Sequence, residues 1–102
     1  MNDSFKTLIN GEKPVFIDFY ATWCGPCKAM EPTISEIAST YKGRVRVIKI
    51  DIDKNQELAN KLQIRGVPTF MLFEKGNLVW RQSGGQSKTA LSQIIDSKLA
   101  LT

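Results

Sequence analysis

The sequence has no histidine and only two cysteines, Cys24 and Cys27. The first absence removes imidazole acid–base chemistry and His-ligated metal sites. The second confines any thiol chemistry to one short stretch. No apolar run approaches the roughly 18 residues a membrane-spanning helix needs. The opening segment "MNDSFKTLINGEKP" does not run basic region, apolar core and small-residue cleavage site in series, so it is not read as a secretory signal. Cytoplasm is therefore the expected location, without membrane association. No repeat, low-complexity tract or linker interrupts the chain. It carries no nucleotide-binding glycine motif, so no cofactor of its own is expected.

What is present suits one small domain. With 102 residues and 42% hydrophobic content the chain can bury one core, and residues 1–102 are read as a single domain and a monomer. Fourteen Lys and Arg against ten Asp and Glu give a net charge of +4. A basic balance can signal nucleic acid, but here the cations are scattered. The densest group, Lys42, Arg44, Arg46 and Lys49, has no interleaved aromatics. A solvated face fits better, and no nucleic-acid partner is expected.

Residues "NDSFKTLING" read as a short helix with Asp3 or Ser4 as cap and Asn10-Gly11 as stop. "PVFIDFYA" reads as a strand apolar on both faces, hence covered on both sides. A helix follows from about Cys24 to Tyr41, closed by Gly43, with Met30, Ile34, Ile37, Ala38 and Tyr41 at helical spacing. Pro32 lies inside it and should kink it. "RVRVIKIDID" is a second strand, and "NQELANKLQI" a short helix with Asn55 as cap. "VPTFMLFEKGNLVWRQSG" reads as a hairpin with strands at 69–74 and 78–83. Ser87 caps a last helix from 88 to about 100, with Leu91, Ile94, Ile95 and Leu99 on one stripe. The first strand–helix–strand unit should be a right-handed parallel crossover, and the hairpin should join the same sheet. The fold class is α/β: a mixed sheet with helices on both faces.

Cys24 and Cys27 fall at a strand-to-helix junction. A structural disulfide over so short a loop gives little loop-closure stabilisation. Two sulfurs leave a tetrahedral zinc short of two ligands, although soft thiolates can carry Cu(I). The third reading, a redox pair, has the physics behind it. Cys24 at a helix start meets unpaired N–H groups and the positive dipole end, which favour a thiolate. Pro26 suits the first helical turn. Cys27 lies one turn on, within disulfide reach. On this reading one thiol is exposed and acidified, and the other is held behind it.

The stretch "IDFYATWCGPCK" (17–28) resembles the active-site segment of the thioredoxin family. Pro32, "DID" (51–53), "IRGVPTF" (64–70), "FEKG" (73–76) and Gly84 match that family as well, so the resemblance runs along nearly the whole chain. It implies the thioredoxin fold with a four-stranded sheet, since the chain starts at the first helix and not at the family's extra N-terminal strand. Gly25-Pro26 between the cysteines points to the disulfide-reducing branch. Tyr20 stands where many members have tryptophan. Ser83-Gly84-Gly85 replaces a more apolar stretch beside the active site.

The resemblance also assigns roles. Cys24 would be the nucleophile and Cys27 the resolving thiol in a protein-disulfide reductase. Its substrates would be disulfide-containing proteins, and its electrons would come from thioredoxin reductase, an NADPH-dependent flavoenzyme. Asp18 has two readings from the residues alone: a structural acid satisfied by hydrogen bonds, or a buried general base with a raised pKa. By resemblance it is the buried aspartate behind the cysteines, and Lys49 on the next strand is its lysine partner. The Val67-Pro68 bond would be cis, as its counterpart is in the family, and would lie against the cysteines. Trp23, Gly25, Pro26, Val67, Pro68, Gly84 and Gly85 would form the substrate groove.

Overall fold

The computed structural model of the protein describes residues 3–99, the side chain of residue 3 excepted. Its elements, in chain order, are α1 (Asp3–Ile9), β1 (Val15–Tyr20), α2 (Gly25–Thr40), β2 (Arg46–Asp51), α3 (Gln56–Lys61), β3 (Thr69–Glu74), β4 (Asn77–Ser83) and α4 (Lys88–Lys98). The strands form one sheet in the order β2-β1-β3-β4. β1 pairs parallel with β2, which requires the α2 crossover. β3 pairs antiparallel with both β1 and β4. The expected four-stranded mixed sheet is present, with β1 internal.

The period-two alternation of β1 and β3 explains why both faces are covered. Phe16, Phe70 and Leu72 point to one side, where they pack with Met30, Ile34 and Ile37 of α2 and Leu91 and Ile95 of α4. Val15, Ile17, Phe19, Met71 and Phe73 point to the other, against Phe5 and Ile9 of α1 and Leu58 of α3. Phe16 and Phe70 stack with centroids 5.7 Å apart. Such a pair adds about 1 kcal/mol beyond the area it buries.

Several local details differ from expectation. Asp3 and Ser4 both lie within α1, so neither caps it, and the residue before the helix is outside the described residues. Asn55 does occupy the N-cap position of α3, but its side chain makes no cap hydrogen bond. Its Nδ2 donates instead to the Asp51 carbonyl at 2.9 Å, tying the end of β2 to the helix start. α2 runs continuously across Pro32 and ends at Thr40, with Tyr41 as C-cap and Gly43 at φ 85° reversing the chain. The hairpin turn is two residues long: Lys75 and Gly76 both have positive φ (50° and 85°), and β4 begins at Asn77. Turns of that kind match the right-handed strand twist. A register shift between Leu72 and Phe73 marks a bulge in the same hairpin. Ser87 caps α4 as expected, its Oγ accepting from the Ala90 amide at 3.0 Å.

Candidate active site

β1 ends in the middle of the sheet, and the chain turns there into α2. Cys24 is the N-cap of α2, with extended backbone, and Pro26 sits in the first turn, where a missing N–H costs nothing. A cap side chain accepts from the amides of the first turn, and Cys24 does this with sulfur. The Cys27 amide donates to its Sγ at 3.1 Å. That donor would face the negative charge the sulfur bears as a thiolate. The two cysteines form a disulfide, with Cα atoms 5.2 Å apart.

Cys24 was expected to be exposed, and in this oxidised form it is not. Both cysteines are 4% exposed. The Cys24 sulfur is bonded to Cys27, and the Val67 carbonyl oxygen lies over it at 3.6 Å. Ala21, Tyr20, Ile52 and Val67 pack around the pair. What reaches solvent is the rim.

Trp23 is 68% exposed, although its indole N–H is fixed by the Asp53 carboxylate at 2.8 Å. Gly25, Pro26, Gly84 and Gly85 are exposed, Val67 is half-buried and Pro68 is buried. The Val67-Pro68 bond is cis, as the resemblance implied. The Gly84 amide donates to the Pro68 carbonyl at 2.8 Å, and a Cβ on Gly85 would lie 3.8 Å from the Met30 sulfur of α2. The Thr69 hydroxyl bonds the Gly66 carbonyl at 2.6 Å and pairs with the Ser83 hydroxyl at 2.9 Å. These contacts knit the loop before β3 to the end of β4, so Val67, Pro68 and Gly84 are brought together.

Asp18 lies in the middle of β1 and is 1% exposed. It shares the face of Phe16, which is the face covered by the Cys27, Met30, Ile34 and Ile37 stripe of α2. Its Oδ1 has no hydrogen-bond partner, so the reading of a satisfied structural acid does not hold for that oxygen. Burial raises the carboxyl from its ordinary 3.8 to about 6; Lys49 pulls it down and Glu31 pushes it back up.

Lys49 is directly opposite Asp18 in the parallel ladder. Its ammonium nevertheless pairs with Glu31, at 4.0 Å, and sits 4.5 Å from the centroid of the Tyr20 ring. Lys49 was expected to partner Asp18, and of the charges around that carboxyl it has the largest influence, although its ion pair is made elsewhere. The ion pair goes to Glu31 because that carboxylate stands at the solvent edge, where a half-exposed ammonium keeps its water.

Sequence reasoning assigned no role to Glu31, Asp53 or Thr69, and placed Ser83 beside the active site without its partner Thr69. Asp53 was in view as part of "DID", and Glu31 follows Cys27 by four residues, one helical turn. Among the described residues no group of three or more His, Cys, Asp or Glu could hold a metal ion, so the copper-carrier alternative has only the two sulfurs.

A disulfide between an N-cap cysteine and the cysteine one turn on, beneath a cis-proline loop and beside a buried carboxyl of raised pKa, defines a dithiol–disulfide exchange protein. Known proteins agree. The thioredoxin family model matches residues 1–97. Thioredoxin of Acidithiobacillus ferridurans is 44% identical over 99 residues, covering 96% of this chain and 92% of that protein. Chloroplastic thioredoxin Y1 of Arabidopsis thaliana is 44% identical over 98 residues, and the matched segment spans only 57% of its length. The crystal structure of oxidised mitochondrial thioredoxin 3 from Saccharomyces cerevisiae superposes with a TM-score of 0.84 at 37% identity, covering 92% of this chain and 87% of that one. The chain belongs to the thioredoxin family, and it is a thiol–disulfide oxidoreductase with Cys24–Cys27 as its redox pair.

Proposed function

We propose that the protein works in the reducing direction, opening disulfides in protein substrates; the observation that supports this direction is the Gly25-Pro26 pair between the cysteines, which forms the first turn of α2, while the arrangement at the helix start identifies the attacking sulfur. Cys24 is the sulfur that receives the helix-start amide of Cys27, so its thiolate is the favoured nucleophile. It attacks a substrate disulfide: a Cys24–substrate S–S bond forms, and the other substrate sulfur leaves as thiolate. Cys27 then gives its proton to Asp18 and attacks the Cys24 sulfur. The mixed disulfide breaks, the bonding electron pair leaves with the second substrate sulfur, and Cys24–Cys27 is oxidised. One substrate disulfide has become two thiols, and two electrons have left the protein.

Asp18 suits the proton-accepting role because it is buried on the α2 face and its raised pKa of about 6 makes it a better base than an ordinary carboxylate near neutral pH. Trp23, Gly25, Pro26, Val67, Pro68, Gly84 and Gly85 form the docking surface for an extended substrate segment. Gly25, Gly84 and Gly85 add no side chain, so substrate backbone can come close. The oxidised protein is returned to the dithiol by thioredoxin reductase. The chain acts as one domain and as a monomer: Trp23 and Leu78 are the large hydrophobics exposed among the described residues, too few for the apolar face of an obligate dimer. A reducing compartment, the cytoplasm on this reading, suits a dithiol donor.

Reduction of insulin disulfides, driven by NADPH and a thioredoxin reductase, tests the direction of flow. Catalytic turnover with NADPH consumption is expected. Efficient oxidation of reduced substrate by the Cys24–Cys27 disulfide, with no turnover in that assay, would make the protein an oxidase instead.

A further inference from the structure

We propose that Glu31 is a positioning residue for the second half-reaction: it holds the Lys49 ammonium at the solvent edge, away from Asp18, and so keeps the buried carboxyl a proton acceptor for Cys27. The inference rests on Asp18 being the base. Four observations converge on it. Lys49 is the cross-strand neighbour of Asp18, yet its ammonium pairs with Glu31 at 4.0 Å. The Tyr20 ring, one pleat further along β1, holds the same ammonium at 4.5 Å, a contact that favours a cation over the ring face. Asp18 Oδ1 has no partner. Glu31, Ser35, Val47 and Lys49 line an open recess of about 300 Å³ between α2 and β2, which gives the lysine chain room to swing.

The charges facing Asp18 are few. β2 contributes Lys49 and α2 contributes Glu31, and the residue opposite on β3 is Phe70, which does not titrate; Cys27 of α2 is held in the disulfide. Asp51, further along β2, is engaged by the Asp53 amide at 2.8 Å. Lys49 is therefore the cation that could neutralise Asp18, and Glu31 competes for it. Glu31 also repels the Asp18 carboxylate directly, in the same direction. The geometry fits the reaction sequence. Glu31 is exposed and four residues beyond Cys27 on the same helix, so it acts on the base without touching the sulfurs.

The test uses the full reduced protein and its Glu31→Gln, Lys49→Gln and doubly substituted forms. Glu31 is exposed, so the amide should not disturb folding. Carbon-detected NMR follows the Asp18 carboxyl titration. Stopped-flow reaction with an aromatic disulfide that releases a coloured thiolate separates the two steps: the first release reports attack by Cys24, the second reports resolution by Cys27. Glu31→Gln should lower the Asp18 midpoint by about half a pH unit, the scale that a half-exposed ion pair permits. The pH profile of the second release should move with it, while the first release is unchanged. In the Lys49→Gln background the effect of Glu31→Gln should shrink, because only direct repulsion remains. An unmoved Asp18 midpoint in Glu31→Gln overturns the proposal, as does an equally large shift without Lys49. A midpoint that moves while the second release keeps its profile overturns the assignment of Asp18 as the base, and the kinetic role of Glu31 falls with it.

Discussion

Replacing Asp18 by asparagine should stabilise the oxidised protein at pH 8 far more than at pH 4. The sign follows from linkage. Asp18 titrates at about 6 in the folded protein against an ordinary value of 3.8, so the folded state holds its proton more tightly than the unfolded state does. The cost of ionising it in place is absent below the unfolded pKa, grows between the two values and is complete above the folded one. The full difference corresponds to about 3 kcal/mol, and only a small part of it is present at pH 4. The side chain is 1% exposed, so solvent screening does not reduce the figure much. The asparagine amide would escape the cost at every pH. At pH 4 the comparison is between two neutral, poorly satisfied polar groups in the same space, and any difference in how they pack cancels when the two pH values are subtracted. Urea denaturation of the oxidised forms should therefore show a gain for Asp18→Asn that is about 2–3 kcal/mol larger at pH 8 than at pH 4, or a midpoint displacement of about 1–2 M. Equal gains at the two pH values would refute the reasoning: Asp18 would then titrate as an ordinary carboxylate, and its candidacy as a base would go with it.

Other perturbations read different parts of the structure. Cys24→Ser should abolish insulin reduction, whereas Cys27→Ser should trap mixed disulfides visible by mass spectrometry; trapping by Cys24→Ser instead would reverse the assignment of nucleophile. Ser87→Ala removes the Oγ that accepts from the Ala90 amide and should cost about 1 kcal/mol in chemical denaturation, without changing turnover. Gly76→Ala should cost about 1–2 kcal/mol in the same measurement, because φ is 85° and the new Cβ would lie 2.9 Å from Asn10 Oδ1; a variant as stable as the parent would mean that the turn rearranges freely.

The parts legible in the sequence are those fixed by short-range pattern. β1 and β3 are continuous apolar runs, and a strand buried on both faces has to read that way. The amphipathic spacing of α2 and α4 named the residues that fill one side of the sheet. The cysteines were legible because the helix start that activates one of them is itself a local feature. Resemblance supplied the cis bond and the lysine beside Asp18, neither of which follows from local pattern, and it favoured the buried-base reading of Asp18 over the structural one that the residues alone left open. What neither source gave is the choice a flexible charged side chain makes among partners. Lys49 has Asp18 beside it in the ladder, Glu31 across from it on α2 and the Tyr20 ring near its tip. Register alone selects Asp18. Desolvation selects otherwise: an ammonium drawn fully to the buried carboxyl gives up its hydration, whereas at the edge it keeps water, a carboxylate and an aromatic face together. Asp53 shows the same thing at the rim, where an acid near the end of β2 fixes the indole of an exposed tryptophan thirty residues away. Glu31 could be read onto α2 from the chain, whereas Asp53, expected at the end of the second strand, lies in the turn after β2; in both cases the partner is set by how the start of α2 and the end of β2 lie against each other. The redox pair is thus encoded locally, while the charges that tune its proton transfer are encoded in the packing.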